Sequence, residues 1–88
     1  MLETTLKIPN RLGLHARAAA QLVQTANSFK SEVLVRKEDL EVNGKSIMGI
    51  LMLAAPQGSR ISISVHGEDE QEAIQALTEL VNDGFGEM

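Results

Sequence analysis

Residues Arg60–Val81, "RISISVHGEDEQEAIQALTELV", carry two different periodicities on either side of one glycine. From Arg60 to His66 the residues alternate strictly, with Ile61, Ile63 and Val65 on one side and Arg60, Ser62, Ser64 and His66 on the other. A period of two is the mark of a strand with one buried face. Past Gly67 the apolar residues Ala73, Ile74, Leu77, Leu80 and Val81 recur at helical spacing and form a stripe. Glu68, Asp69, Glu70 and Glu72 fall at the helix start, where carboxylates complement the helix dipole, and Asp69 with Glu72 predicts a capping box. A one-faced strand followed by a one-faced helix calls for a layer of helices laid over a sheet.

The remaining segments extend this pattern. Residues 3–8 alternate, with Thr4, Leu6 and Ile8 on one face, and Pro9-Asn10 ends the run as a strand. Between Ala16 and Ala26, the residues Ala16, Ala19, Ala20, Val23 and Ala26 recur at helical spacing, broadened by Leu22. "EVLVRK" at 32–37 and "LEVN" at 40–43 are short β-rich runs joined by Glu38-Asp39, which predicts a hairpin. "SIMGILML", 46–53, is apolar nearly all round; Gly49 within it and Ser46 as N-cap favour a short helix. "PQGS" is a turn. The order is β-α-β-β-α-β-α in an α+β domain, a four-stranded antiparallel or mixed sheet with its helices on one side.

Composition narrows the function classes. A chain of 88 residues with 43% apolar content builds one globular core and not two, so residues 1–88 are read as a single domain. There is no Trp, Tyr or Cys and only two Phe, so the core is aliphatic, with no disulfide, thiolate nucleophile or sulfur metal site. A net charge of −4 and few aromatics argue against nucleic-acid binding. "MLETTLK" does not read as a signal peptide, and no apolar run reaches membrane-spanning length, so a cytoplasmic protein off the membrane is expected. No phosphate-cradling nucleotide loop is present, and no cofactor is expected. His66 ends a strand facing outward and is assigned no role; two histidines without a thiolate, and with no carboxylate near His15 in sequence, predict no metal site.

The chemistry-bearing stretch is Asn10–Val23, "NRLGLHARAAAQLV". His15 falls at the N-cap of the first helix, so the free N–H groups of Ala16 and Arg17, with the positive helix end, make an anion site. Arg17 adds a guanidinium suited to phosphate oxygens. A ring-nitrogen lone pair beside a phosphate cradle is what reversible phosphoryl transfer needs. Spacing alone also allows His15 to be simply a cap or turn residue.

The stretch "N-x-x-G-L-H-A-R" resembles the active-site signature of the HPr family, the histidine phosphocarriers of the bacterial phosphoenolpyruvate-dependent sugar phosphotransferase system. "NGKSIMGILML" resembles the family's second signature, around a regulatory serine, and "GEDEQEA" the start of its last helix. The resemblance runs along essentially the whole chain. It implies an open-faced β-sandwich of four antiparallel strands with three helices on one face. It implies that His15 accepts a phosphoryl group from phosphorylated enzyme I and passes it to the A domain of a sugar permease, with Arg17 neutralising the phosphate. Ser46, a sufficient N-cap in its own right, would be a target of HPr kinase/phosphorylase. Ile47, Met48 and Leu51, with Ala20 and Gln24, would dock these partners, rimmed by Arg17 and Lys45. A monomer acting as a relay component is implied, with no turnover of free small molecules. The family often has proline after the arginine; here Ala18 stands there, which keeps the helix and restores an N–H donor. The alternatives are a nitrogen-related paralogue using the same histidine, a regulatory module read through phosphorylated Ser46, and a small ligand-binding domain in which His15 is only a cap.

Overall fold

The computed structural model describes residues 1–87; Met88, the last residue of the expected 1–88 domain, lies outside the described residues. The strands are β1 (Leu2–Lys7), β2 (Glu32–Lys37), β3 (Leu40–Asn43) and β4 (Arg60–His66), and the helices α1 (Ala16–Asn27), α2 (Ile47–Met52) and α3 (Glu70–Asn82). The strand order is β1-β4-β2-β3 with every pairing antiparallel, so the expected antiparallel sheet and element order hold. Register places Leu6 opposite Ile61, and Val33 opposite Val65. In this way the alternation seen in Arg60–His66 is shared by its neighbours on both sides, and a single apolar face results.

That face is buried beneath the helices. Leu6, Ile8, Val33, Val35, Ile61, Ile63 and Val65 meet Leu22 and Val23 of α1 and Ala73, Leu77 and Val81 of α3 in one core cluster. The opposite face is open and polar: Ser64 Oγ donates to Glu3 at 3.1 Å, and Arg36 lies 4.0 Å from the same carboxylate. A two-layer arrangement follows from the strands having only one apolar side.

Local details depart from the sequence reading in four places. The first strand is Leu2–Lys7 and not 3–8, yet Ile8 still points into the core. In α1 the buried stripe is Ala18, Ala19, Leu22, Val23 and Ala26. Ala16 is exposed and Ala20 only half-buried, because the sheet and α3 cover the side centred on Leu22, which periodicity among so many alanines cannot fix. Position 18 is thus a core position filled by a methyl group.

The predicted Asp69–Glu72 capping box does not form, and Asp69 makes no cap bond to α3. Its carboxylate reaches across to the loop after α1, accepting Lys30 N–H at 2.9 Å, Ser31 N–H at 3.0 Å and the Ser31 hydroxyl. Glu70 takes over the local role, its Oε1 accepting Gly67 N–H at 3.1 Å. A loop held from outside offers Asp69 more donors than its own helix does. Bonding to the Ser31 hydroxyl, then to Lys30 N–H, holds the Asp69 carboxyl below its ordinary range.

The fourth departure is the chain after α3. Gly84–Gly86 forms a 3-10 turn in which Phe85 is almost wholly buried at φ 57°. A left-handed phenylalanine costs about 1–3 kcal/mol, and burying its ring offsets that strain.

Phe85→Ala should destabilise the fold by about 3 kcal/mol, less the strain it relieves, with melting temperature as the measurement. Asp69 has a depressed folded-state pKa, so its contribution is complete above the unfolded carboxylate value of about 3.9 and fades as the pH falls through the folded value. Asp69→Asn should therefore melt lower at neutral pH and lose less on acidification than the parent, as thermal unfolding across a pH series would show.

Candidate functional site

His15 stands where the sequence placed it, at the N-cap of α1 with extended backbone (φ −79°, ψ −179°). Its carbonyl accepts Ala19 N–H at 2.8 Å, the first bond of the helix, and its imidazole makes no cap bond. The amides of the first helical turn have no acceptor within the helix, and among the described residues no side chain caps them. Ala16 and Arg17, both exposed, therefore begin α1 with their N–H groups unclaimed by the helix, a geometry that favours anions.

The approach to the histidine is fixed by the preceding loop. Gly13 adopts φ 68° and donates to Asn10 O at 3.1 Å, while Leu14 N–H donates to Ala55 O at 2.9 Å. A Cβ on Gly13 would lie 2.5 Å from Ala55 O and 2.9 Å from Pro56 Cα, so only glycine fits. Asn10, fully buried, donates its Nδ2 to Gly13 O at 2.9 Å.

His15 and Arg17 open onto one depression of about 940 Å³, lined also by Arg11, Leu12, Gln21, Phe85 and Glu87. Arg17 is exposed and forms no ion pair among the described residues, so its guanidinium is available to an incoming anion. The residue that sequence reasoning missed is Glu87. Its Oε2 hydrogen-bonds His15 Nε2, and its Oε1 accepts Asn10 Nδ2 at 2.8 Å. The Asn10 donor, then the His15 contact, hold the Glu87 carboxyl below its ordinary range. The one available signal was the second phenylalanine between two glycines: burying Phe85 turns the chain back so that Glu87 meets His15.

The other expected residues lie along α2. Ser46 is its N-cap and accepts Gly49 N–H at 3.1 Å, as predicted. Ile50 alone is buried, while Ile47, Met48, Leu51 and Met52 are all exposed, Met48 by 72%. Sequence reasoning named three of these and missed Met52. α2 packs on α1, along whose outer side Ala20 (half-buried) and Gln24 (exposed) follow at helical spacing. The two helices run in opposite senses. Lys45, before α2, donates to Phe29 O beyond the end of α1 at 2.8 Å, whereas Ala55, after α2, bonds Leu14 at the start of α1. Lys45 and Arg17 thus stand at opposite ends of the apolar strip, and the ring of cations read from sequence is open along its sides. Ser46 is at the end of α2 remote from His15. His66 is exposed, its Nδ1 4.0 Å from Glu70. Among the described residues no group of three metal-ligating side chains converges, and no helix is long and apolar enough to cross a membrane.

Comparison with known proteins agrees with this geometry. Residues 2–83 match the family model described as the phosphotransferase system HPr component phosphorylation site. A phosphocarrier protein HPr from Neisseria meningitidis serogroup A is 56% identical over 87 residues, covering 99% of this chain and 98% of the relative. The crystal structure of HPr-C-His from Thermoanaerobacter tengcongensis superimposes with a TM-score of 0.96 at 50% identity, covering 100% of this chain and 99% of the other. The Bacillus subtilis catabolite repression protein Crh, crystallised as a domain-swapped dimer, gives a TM-score of 0.76 at 40% identity, covering 96% of this chain and 97% of the other. Near-complete coverage, high identity and the same open four-stranded sheet place the chain in the HPr family of phosphocarrier proteins of the phosphotransferase system.

Proposed function

We propose that the chain accepts a phosphoryl group from phosphorylated enzyme I on His15 and passes it to the A domain of a sugar permease. The observation that carries this reading is a partly exposed histidine at the N-terminus of α1 with Arg17, which forms no ion pair among the described residues, beside it. A ring nitrogen attacks the phosphorus in line, and the first-turn amides of Ala16 and Arg17 with the Arg17 guanidinium take up charge on the transferring oxygens. Because the same groups hold phosphate in both directions, the site is suited to passing it on. The chain is then a relay component acting as one cytoplasmic domain over residues 1–88, and as a monomer.

The exposed strip of Ile47, Met48 and Leu51, joined by Met52 and flanked by Ala20 and Gln24, serves as the docking surface. Four large apolar side chains on a helix with a single buried residue are excess to folding and fit transient contacts with the two successive partners. Ser46 is the regulatory position, phosphorylated by HPr kinase/phosphorylase. A phosphate there carries about −1.5 to −2 charges, favourable to the helix dipole but adjacent to Ile47 and Met48. Since Ser46 and His15 lie at opposite ends of α2, the modification acts through the docking strip and not by touching the histidine.

Incubation with enzyme I and labelled phosphoenolpyruvate is the direct test: the label should be acid-labile and base-stable, absent from a folded His15→Ala variant, and slower to appear in Arg17→Ala. Label retained by His15→Ala would place the acceptor elsewhere and overturn the assignment. For Ser46, Asp should raise the apparent binding constant for enzyme I with little change in melting temperature, while Ala should cost about 1 kcal/mol of stability through the lost cap and leave transfer intact. An Asp variant that transfers as fast as the parent at low enzyme I concentration would leave Ser46 a cap only.

A further inference from the structure

Glu87 bridges two groups that both call for an acceptor. One carboxylate oxygen accepts from Asn10 Nδ2 at 2.8 Å, and the other is bonded to His15 Nε2. The orientation of Asn10 is fixed by its surroundings: both neighbours of Nδ2, Gly13 O and Glu87 Oε1, can only accept, so the amide must present its NH2 to them. An ionised carboxylate is likewise an acceptor only, so in the neutral ring the proton facing Glu87 sits on Nε2. The lone pair is then on Nδ1.

Resting on the reading of His15 as phosphoryl acceptor, we propose that Glu87, itself held by Asn10, is the positioning residue that sets the tautomer and orientation of His15 so that Nδ1 is the nucleophile. In the transfer the Nδ1 lone pair forms the new N–P bond as the bond from phosphorus to the donor breaks, its electron pair staying with the donor. The Nε2 proton remains bonded to Glu87 throughout, and the positive charge that develops on the ring faces the carboxylate. On the onward step the protonated ring is a good leaving group: the N–P bond breaks, its pair returns to Nδ1, and the same Nε2–H tautomer is restored. Glu87 side-chain exposure is 14%, against 29% for His15, so the carboxylate sits on the inner side of the ring.

Replacing this carboxylate by an amide, E87Q, has an unusual consequence. Asn10 must still donate, so the oxygen of the introduced amide would turn toward it and the amide NH2 toward Nε2. The ring then accepts at Nε2 and carries its proton on Nδ1, which removes the attacking lone pair. The near-isostere E87Q should therefore do more damage than the truncation E87A, which leaves the tautomer free. Full-length protein labelled with 15N reports the tautomer of the neutral ring by long-range proton–nitrogen correlation spectra, and labelling by enzyme I and phosphoenolpyruvate reports the rate. The parent should show Nε2–H; E87Q should show Nδ1–H and a rate lower by about tenfold or more, and E87A a smaller loss of rate, with E87Q melting close to the parent and E87A somewhat lower because the buried Asn10 amide loses an acceptor. Retention of Nε2–H in E87Q, a slower E87A than E87Q, or unchanged rates in both would overturn the proposal. Absence of label on His15 in the parent would instead sink the phosphocarrier reading while the tautomer spectra still decided the role of Glu87.

Discussion

Everything at the working end of the molecule depends on the close approach of Gly13 to Ala55 and Pro56. The left-handed turn at Gly13 brings Leu14 N–H onto Ala55 O, and there is no room for a side chain between the two segments. This contact sets where α1 starts, and so where His15 stands. It equally sets where α2 ends, because Leu53 and Ala55 are buried beside Leu14 in the same core. The proposed phosphoryl site and the exposed apolar strip are thereby held on one rigid surface, though they come from separate stretches of the chain. Rigid placement of a site on element ends lowers the cost of assembling it for each encounter.

Two carboxylates tie distant segments together by the same physics. Asp69 gathers two backbone N–H groups and a hydroxyl from Lys30–Ser31, and Glu87 gathers Asn10 and His15. In each case an ionised acceptor satisfies donors that would be costly to leave unpaired, and hydrogen bonding to the charged form depresses its pKa. Asp69 fixes the turn from α1 into the sheet; Glu87 fixes the histidine at the opposite end of α1.

The apolar strip on α2 is unusual for a helix so short. Six residues are too few to be stable alone; Ile50 is the buried residue of this helix, the Ser46 cap closes its first turn, and bonds from Lys45 to Phe29 and from Leu14 to Ala55 tie its two flanks to α1. The remaining large side chains are exposed, Met48 and Met52 most of all, and add less to folding than Ile50 does. Under the proposed function the labour is divided: one residue anchors the helix, and the others are free for partners that must bind in turn and leave.

The sequence by itself determined the layers. Strict alternation in Arg60–His66 and its echo in β1 and β2 demanded one buried sheet face, and the stripes of α1 and α3 supplied its cover. The glycine-histidine-arginine order placed His15 at a helix mouth, and the Ser46 cap was legible because both are local, depending on residues within four positions. What only the tertiary structure decided is every interaction that joins remote segments. Which alanines of α1 face inward followed from the elements packed against them, since alanine reads alike on either side. Asp69 abandoned its own helix for a loop 38 residues away because that loop offered more donors. Glu87 reached His15 across 72 positions because Phe85 found a buried site that folds the chain end back. Periodicity and caps are short-range and are written in the order of residues; pairing across the chain is set by which donors and cavities the finished core leaves unfilled.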